Sequence, residues 1–119
     1  MTLRIMSTDE HVWTLAPLGR LDLPAARALE DALNDLCNEG RARLVVDMAG
    51  VAYVASAALK ALLVGARRAR LLEGDVRLAA LNSRVLEVFE MAGFDQIFAI
   101  HHTAEEAVAS FGTPTAAQG

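Results

Sequence analysis

Apolar positions follow two rhythms along the chain, every second residue in some stretches and every third or fourth in others. Each change of rhythm marks a predicted element. Residues 2–7 and 11–18 are short apolar-rich runs around the polar turn Thr8-Asp9-Glu10, which predicts an opening hairpin. In GRLDLPAARALEDALNDLCNEG, Ala26, Leu29, Leu33, Leu36 and Cys37 recur at helical spacing, while Arg27, Glu30, Asp31, Asn34 and Asp35 fill the opposite side. Asp22 suits the N-cap, Pro24 the first turn, and Gly40 the position just past the end. ARLVVDMAG, residues 42–50, is apolar on both faces and predicts a strand in the middle of a covered sheet. VAYVA continues that strand or re-enters the sheet after Gly50.

A second helix is expected near residues 57–72, burying Leu59, Leu62, Leu63, Ala66 and Ala69 and ending at Gly74. DVRLAAL, 75–81, predicts another strand, and Asn82 or Ser83 caps a short helix, SRVLEVFEMAG, that stops at Gly93. Residues 96–101 predict a last strand, and Thr103 with Glu106 forms a capping box for a final helix. After the hairpin, strands alternate with helices. The pattern predicts a single α/β domain whose mixed, largely parallel sheet opens with a hairpin and carries four helices. That domain spans residues 1–111, and GTPTAAQG, 112–119, reads as a flexible tail.

Composition narrows the functional classes. A chain of 119 residues, 54% of them apolar, is a packed globule rather than a disordered segment. Lys60, Arg67 and Asp47 interrupt the apolar runs below membrane-spanning length, so no direct membrane insertion is expected. MTLRIMSTDEHVW lacks the unbroken apolar segment of a signal peptide, and a cytoplasmic location is expected. Net charge is −4, and the cluster Arg67, Arg68 and Arg70 has no interleaved aromatics to stack bases. Those cations suit the carboxyl end of a helix, and no nucleic-acid partner is expected.

Converging catalytic groups are not evident. His101 and His102 are adjacent and cannot share one face of a strand, and no carboxylates at ligand spacing accompany them, so no metal site is expected. Cys37, the single cysteine, lies on the apolar stripe of the first helix and reads as a core residue. No phosphate-binding glycine loop follows a strand, and no G-x-S-x-G elbow surrounds Ser56. Asp22 and Asp47 each have a local role, as a helix cap and an exposed strand end. No enzyme activity is expected. Ser56 itself suits an N-cap, and it also falls at a strand-to-helix junction beside GRLD, on the edge where parallel sheets carry their sites.

Four segments in order resemble the STAS domain, in particular the small bacterial anti-sigma-factor antagonists. G-R-L-D at 19–22 resembles the family's turn before the first helix, and L-V-V-D-M-A-G-V-A-Y-V at 44–54 its central strand. A-S-A-A-L at 55–59 occupies the place of its D-S-[ST]-G-L motif, and V-L-E-V-F-E-M-A-G-F at 85–94 is similar to its third helix. The resemblance implies the STAS fold, no catalysis and no cofactor. It implies a partner that is both anti-sigma factor and serine protein kinase of the histidine-kinase-like ATPase type, released when Ser56 is phosphorylated. The partner-binding surface it implies comprises Gly19, Arg20, Leu21 and Asp22 with Ala55, Ser56, Ala57, Lys60 and Leu63, on a monomer or weak dimer. The chain departs from the motif at Ala55, Ala57, Ala58 and Lys60, where the family carries Asp, Ser or Thr, Gly and a small residue. Those departures keep open an alternative: a STAS interaction module not switched by phosphate, such as a transporter-associated subunit or a signalling scaffold.

Overall fold

The computed structural model describes residues 2–9 and 11–112. The expected tail therefore lies outside the described residues apart from Gly112, as does Glu10 of the hairpin turn. The elements are β1 (Thr2–Asp9), β2 (Val12–Leu21), α1 (Leu23–Asn38), β3 (Arg43–Asp47), β4 (Val51–Val54), α2 (Ser56–Leu71), β5 (Asp75–Ala79), α3 (Ser83–Met91), β6 (Ile100–His101) and α4 (Ala104–Ala109). A single 3₁₀ turn, Phe94–Gln96, precedes β6. β1 pairs antiparallel with β2, and the remaining pairings are parallel in the order β1-β2-β3-β5-β6. The mixed, mostly parallel α/β sheet expected from the element order is present.

The ten-residue β2 has two successive neighbours on one side. Trp13–Leu15 pair with β3, and Gly19–Leu21 pair with β4. Between the two, Met48–Gly50 steps out of line: Met48 N–H donates to the Ala79 carbonyl and Val51 N–H to the Met48 carbonyl, both at 2.9 Å. VAYVA thus re-enters the sheet as a separate strand. This step brings the start of α2 alongside the end of β2.

Alternation along the strands divides the core. Leu15, Leu44, Val46, Val76 and Leu78 pack with Leu29, Leu33 and Leu36 of α1 and with Leu62 of α2. Val12, Val45 and Ala79 face the other way, against Ala107 of α4. The buried side of α2 is Ala58, Ala61, Leu62, Gly65, Ala66 and Ala69, whereas Leu59 and Leu63, expected in the core, are half-buried. Small residues face α1 because the helices approach closely. A Cβ on Gly65 would lie 2.7 Å from Leu33 Cδ1. The bulkier leucines are turned aside.

Two helix ends differ in who supplies the left-handed residue. At the end of α1, Gly40 takes φ +79° and donates to the Cys37 carbonyl at 2.9 Å, while Arg41 N–H reaches the Leu36 carbonyl at 2.8 Å. At the end of α2 the same motif places Glu73, not Gly74, at φ +65°. Gly74 is a glycine for a different reason: its Cβ would stand 2.0 Å from the Ala42 carbonyl oxygen. The last strand is shorter than the expected 96–101. Phe94 packs against Phe89 and Phe98, with centroids 6.0 and 5.6 Å apart, and the chain tightens into the 3₁₀ turn instead. The strand expected over 75–81 stops at Ala79, where Ala80 turns to φ +61°.

Candidate functional site

The two strand-to-helix junctions named by the sequence stand side by side. Arg20 pairs with Tyr53 and Leu21 with Val54, and Ala55 N–H donates to the Leu21 carbonyl at 2.9 Å. The GRLD turn and the start of α2 are thus joined by the sheet itself, at the carboxyl ends of neighbouring parallel strands. Gly19 permits the turn by adopting φ +97° while its N–H donates to the Gly50 carbonyl at 2.8 Å. Asp22 caps α1, its carboxylate accepting from Ala25 N–H at 3.2 Å, and Asp47 accepts from Ala49 N–H at 3.0 Å. Both acids serve the local backbone.

Ser56 is exposed, as a docking rim requires, but it is not the cap. Ala55 holds the N-cap position of α2, with φ −86° and ψ 163°, and Ser56 is the first helical residue. The difference is one residue, and it matters chemically. A capping serine spends its oxygen on a backbone amide; Ser56 makes no side-chain hydrogen bond with any described residue. The amides of Ser56 and Ala57 also have no acceptor among the described residues, as expected of an uncapped first turn. A bare hydroxyl therefore sits at a helix end where negative charge is favoured.

Around Ser56 the other expected partner-binding residues divide. Gly19, Arg20, Asp22 and Lys60 are exposed, and Ala55, Ala57 and Leu63 are half-buried. Leu21 does not belong to the rim: it is 1% exposed and packs in the main core. Alternation explains the correction, because Arg20 and Leu21 are consecutive strand residues and only one can face out. Lys60 lies one turn after Ser56 on the same helical face. The Arg20 guanidinium stacks over the Tyr53 ring, 4.2 Å from its centroid.

Sequence reasoning missed two apolar members of this rim. Leu23, 50% exposed, and Tyr53, 42% exposed, flank the GRLD turn and β4. Leu23 carried a readable signal. On a helical wheel it falls between Arg27 and Glu30, on the polar side of α1. Tyr53 had none, because its face depends on where β4 pairs. Two members of the arginine cluster act structurally: Arg68 donates to Asn34 and Asn38 of α1 at 3.1 and 2.6 Å, and Arg70 pairs with Asp75 at 2.9 Å. Cys37 is buried, and desolvation pushes its thiol pKa up against a smaller lowering by Arg68. No cluster of three or more metal-ligating side chains occurs among the described residues.

A family model described as "Mlab, STAS domain" matches residues 6–100. The chain belongs to the STAS domain family. It is 36% identical over 95 residues to BtrV of Bordetella bronchiseptica, provisionally named an anti-sigma factor antagonist, covering 80% of this chain and 82% of that one. Among solved structures, an anti-sigma factor antagonist from Mycobacterium paratuberculosis superposes with TM-score 0.82 at 22% identity, over 92% of each chain. The Bacillus cell fate determinant SpoIIAA, solved in its phosphorylated form, superposes with TM-score 0.75 at 15% identity, over 92% of this chain and 99% of that one. The STAS fold expected from the four motif segments is the fold observed. No helix among the described residues is long and apolar enough to cross a membrane.

Proposed function

We propose that this STAS domain is an anti-sigma factor antagonist of a cytoplasmic partner switch, acting by binding rather than catalysis. The partner is an anti-sigma factor that is also a serine kinase of the histidine-kinase-like ATPase type. It docks on the rim formed by Gly19, Arg20, Asp22, Ala55, Ser56, Ala57 and Lys60, with Leu23 and Tyr53 as apolar contacts. Phosphorylation of Ser56 breaks the complex. The observation that carries this reading is the exposed, unbonded Ser56 hydroxyl at the first residue of α2, beside the GRLD turn. A phosphate there brings about −1.5 to −2 charges. The free amides of the first turn favour that charge, so the fold tolerates it, whereas a partner packed on the rim would have to desolvate it. The name of the relative BtrV supports the antagonist role.

Incubation with the candidate kinase and ATP, followed by intact mass spectrometry, tests the reading. One phosphoryl group on the wild type, absent from Ser56→Ala, is the expected result. Ser56→Asp weakens partner binding more than it weakens folding; equal affinities of wild type and Ser56→Asp for the partner without ATP would refute the switch. The alanines at 55, 57 and 58 and Lys60 favour a second reading, a constitutive STAS module in a transporter or signalling assembly. That module binds its partner identically before and after kinase treatment.

A further inference from the structure

At the carboxyl ends of β5 and β6, on the far side of α3 from β4, lies a cavity of about 360 Å³. Apolar side chains form one part of its lining, chiefly Leu81, Leu86, Phe98 and Ile100. Glu90, Asp95, His101 and His102 supply its polar groups, and neither lysine nor arginine lines it. His101 Nε2 is buried and has no hydrogen-bond partner, alone in this among side-chain nitrogens and oxygens of the described residues. Such a group costs free energy unless something pairs with it. Ala80, also in the lining, holds φ +61°, a conformation costly for a residue with a Cβ. Its N–H donates to the His101 backbone carbonyl at 3.0 Å.

We infer that this cavity binds a small organic ammonium ion with an apolar body. The volume falls within the range of small-molecule sites, about 300–1,000 Å³, and the mixture of apolar wall with few polar groups matches their character. Charge decides the class. The Glu90 carboxylate makes no hydrogen bond or ion pair with a described residue, Asp95 has one side-chain contact, from Gln96 Nε2 at 3.2 Å, and the carboxyl end of α3 adds its own negative pole. An ammonium N–H donor satisfies the carboxylates, and an alkyl or aryl body covers Leu86, Phe98 and Ile100. A metal ion fits poorly, since no group of three ligating side chains assembles here among the described residues.

Methyl and histidine-ring NMR of the full chain provides the test, with 2-phenylethylammonium chloride as probe and 3-phenylpropionate and 2-phenylethanol as comparators. The amine produces saturable shifts at Leu81, Leu86, Ile100 and the His101 ring, with a dissociation constant in the millimolar range. The carboxylate produces none, and the alcohol binds more weakly. Glu90→Gln combined with Asp95→Asn, both at exposed positions, lowers amine affinity about tenfold without altering the rest of the spectrum. Equal shifts from all three compounds, an unchanged affinity in the double variant, or shifts centred away from these residues would each overturn the inference.

Discussion

Ala55→Asp should stabilise this protein, and the other helices indicate by how much. α1, α3 and α4 each begin with a side-chain cap that accepts from the amide three residues on: Asp22 from Ala25 at 3.2 Å, Asn82 from Val85 at 2.9 Å, and Thr103 from Glu106 at 3.1 Å. α2 alone of the four lacks one. Yet the backbone at Ala55, φ −86° and ψ 163°, lies close to that of Asp22, −82° and −171°, and of Asn82, −70° and 167°. An aspartate at this position therefore needs no backbone movement to reach the first-turn amides. A cap contributes about 0.5–2 kcal/mol, typically ~1. The carboxylate's interaction with the helix dipole adds about 0.3–1 kcal/mol.

For a domain of 119 residues, each kcal/mol moves the melting temperature by about 4 °C. Thermal unfolding followed by circular dichroism should show a rise of about 4–8 °C for Ala55→Asp. Ala55→Ser should show a smaller rise, since it caps without charge. An unchanged or lower melting temperature in both variants would refute the uncapped assignment. The substitution also bears on Ser56. With a carboxylate introduced at residue 55, a phosphate on Ser56 meets a like charge on the adjacent residue. Phosphorylation should therefore destabilise the Ala55→Asp variant more than the wild type.

Three further outcomes follow from particular contacts. Leu21→Ala should lower the unfolding free energy by about 2–5 kcal/mol in urea titration, because the side chain is fully buried. Its partner affinity per folded molecule should be unchanged, whereas a specific loss of binding by fully folded protein would return Leu21 to the rim. Glu73→Gly should stabilise by about 1 kcal/mol by removing a left-handed residue with a Cβ, while Gly74→Ala should destabilise strongly because the Ala42 carbonyl cannot yield; chemical denaturation separates the two. Cys37 should resist thiol reagents in the native state and react in urea. Burial raises its folded pKa above the unfolded value of about 8.5, so the folded state holds its proton longer and stability declines above about pH 8.5. Cys37→Ala should flatten that decline in a pH series of urea titrations.

What could be read along the chain was whatever neighbouring residues encode together. α1 was legible at both ends and on both faces because its stripe, Asp22 cap and Gly40 stop all lie within one contiguous segment. The Asn82 and Thr103 caps, the β3 apolar run and the alternating order of elements were legible for the same reason. The motif segments placed Ser56 correctly at a strand-to-helix junction. The local reading of Ser56 as N-cap was one residue out of register, since the alanine before Ser56 gives no local sign of being a boundary.

Distant partners decided the rest. Pairing of Gly19–Leu21 with Val51–Val54 made β4 a separate strand, turned Arg20 out and Leu21 in, and left Tyr53 exposed on the rim. The close approach of α1 fixed which side of α2 is buried, favouring Gly65 and the alanines over Leu59 and Leu63. Packing of Phe94 between Phe89 and Phe98 cut the last strand to two residues and helped shape the cavity beside His101. Period, caps and stops depend on contacts a few residues apart, so the sequence alone could specify them. Register and exposure depend on which distant backbone a strand or helix meets, and only the folded chain brings those surfaces together.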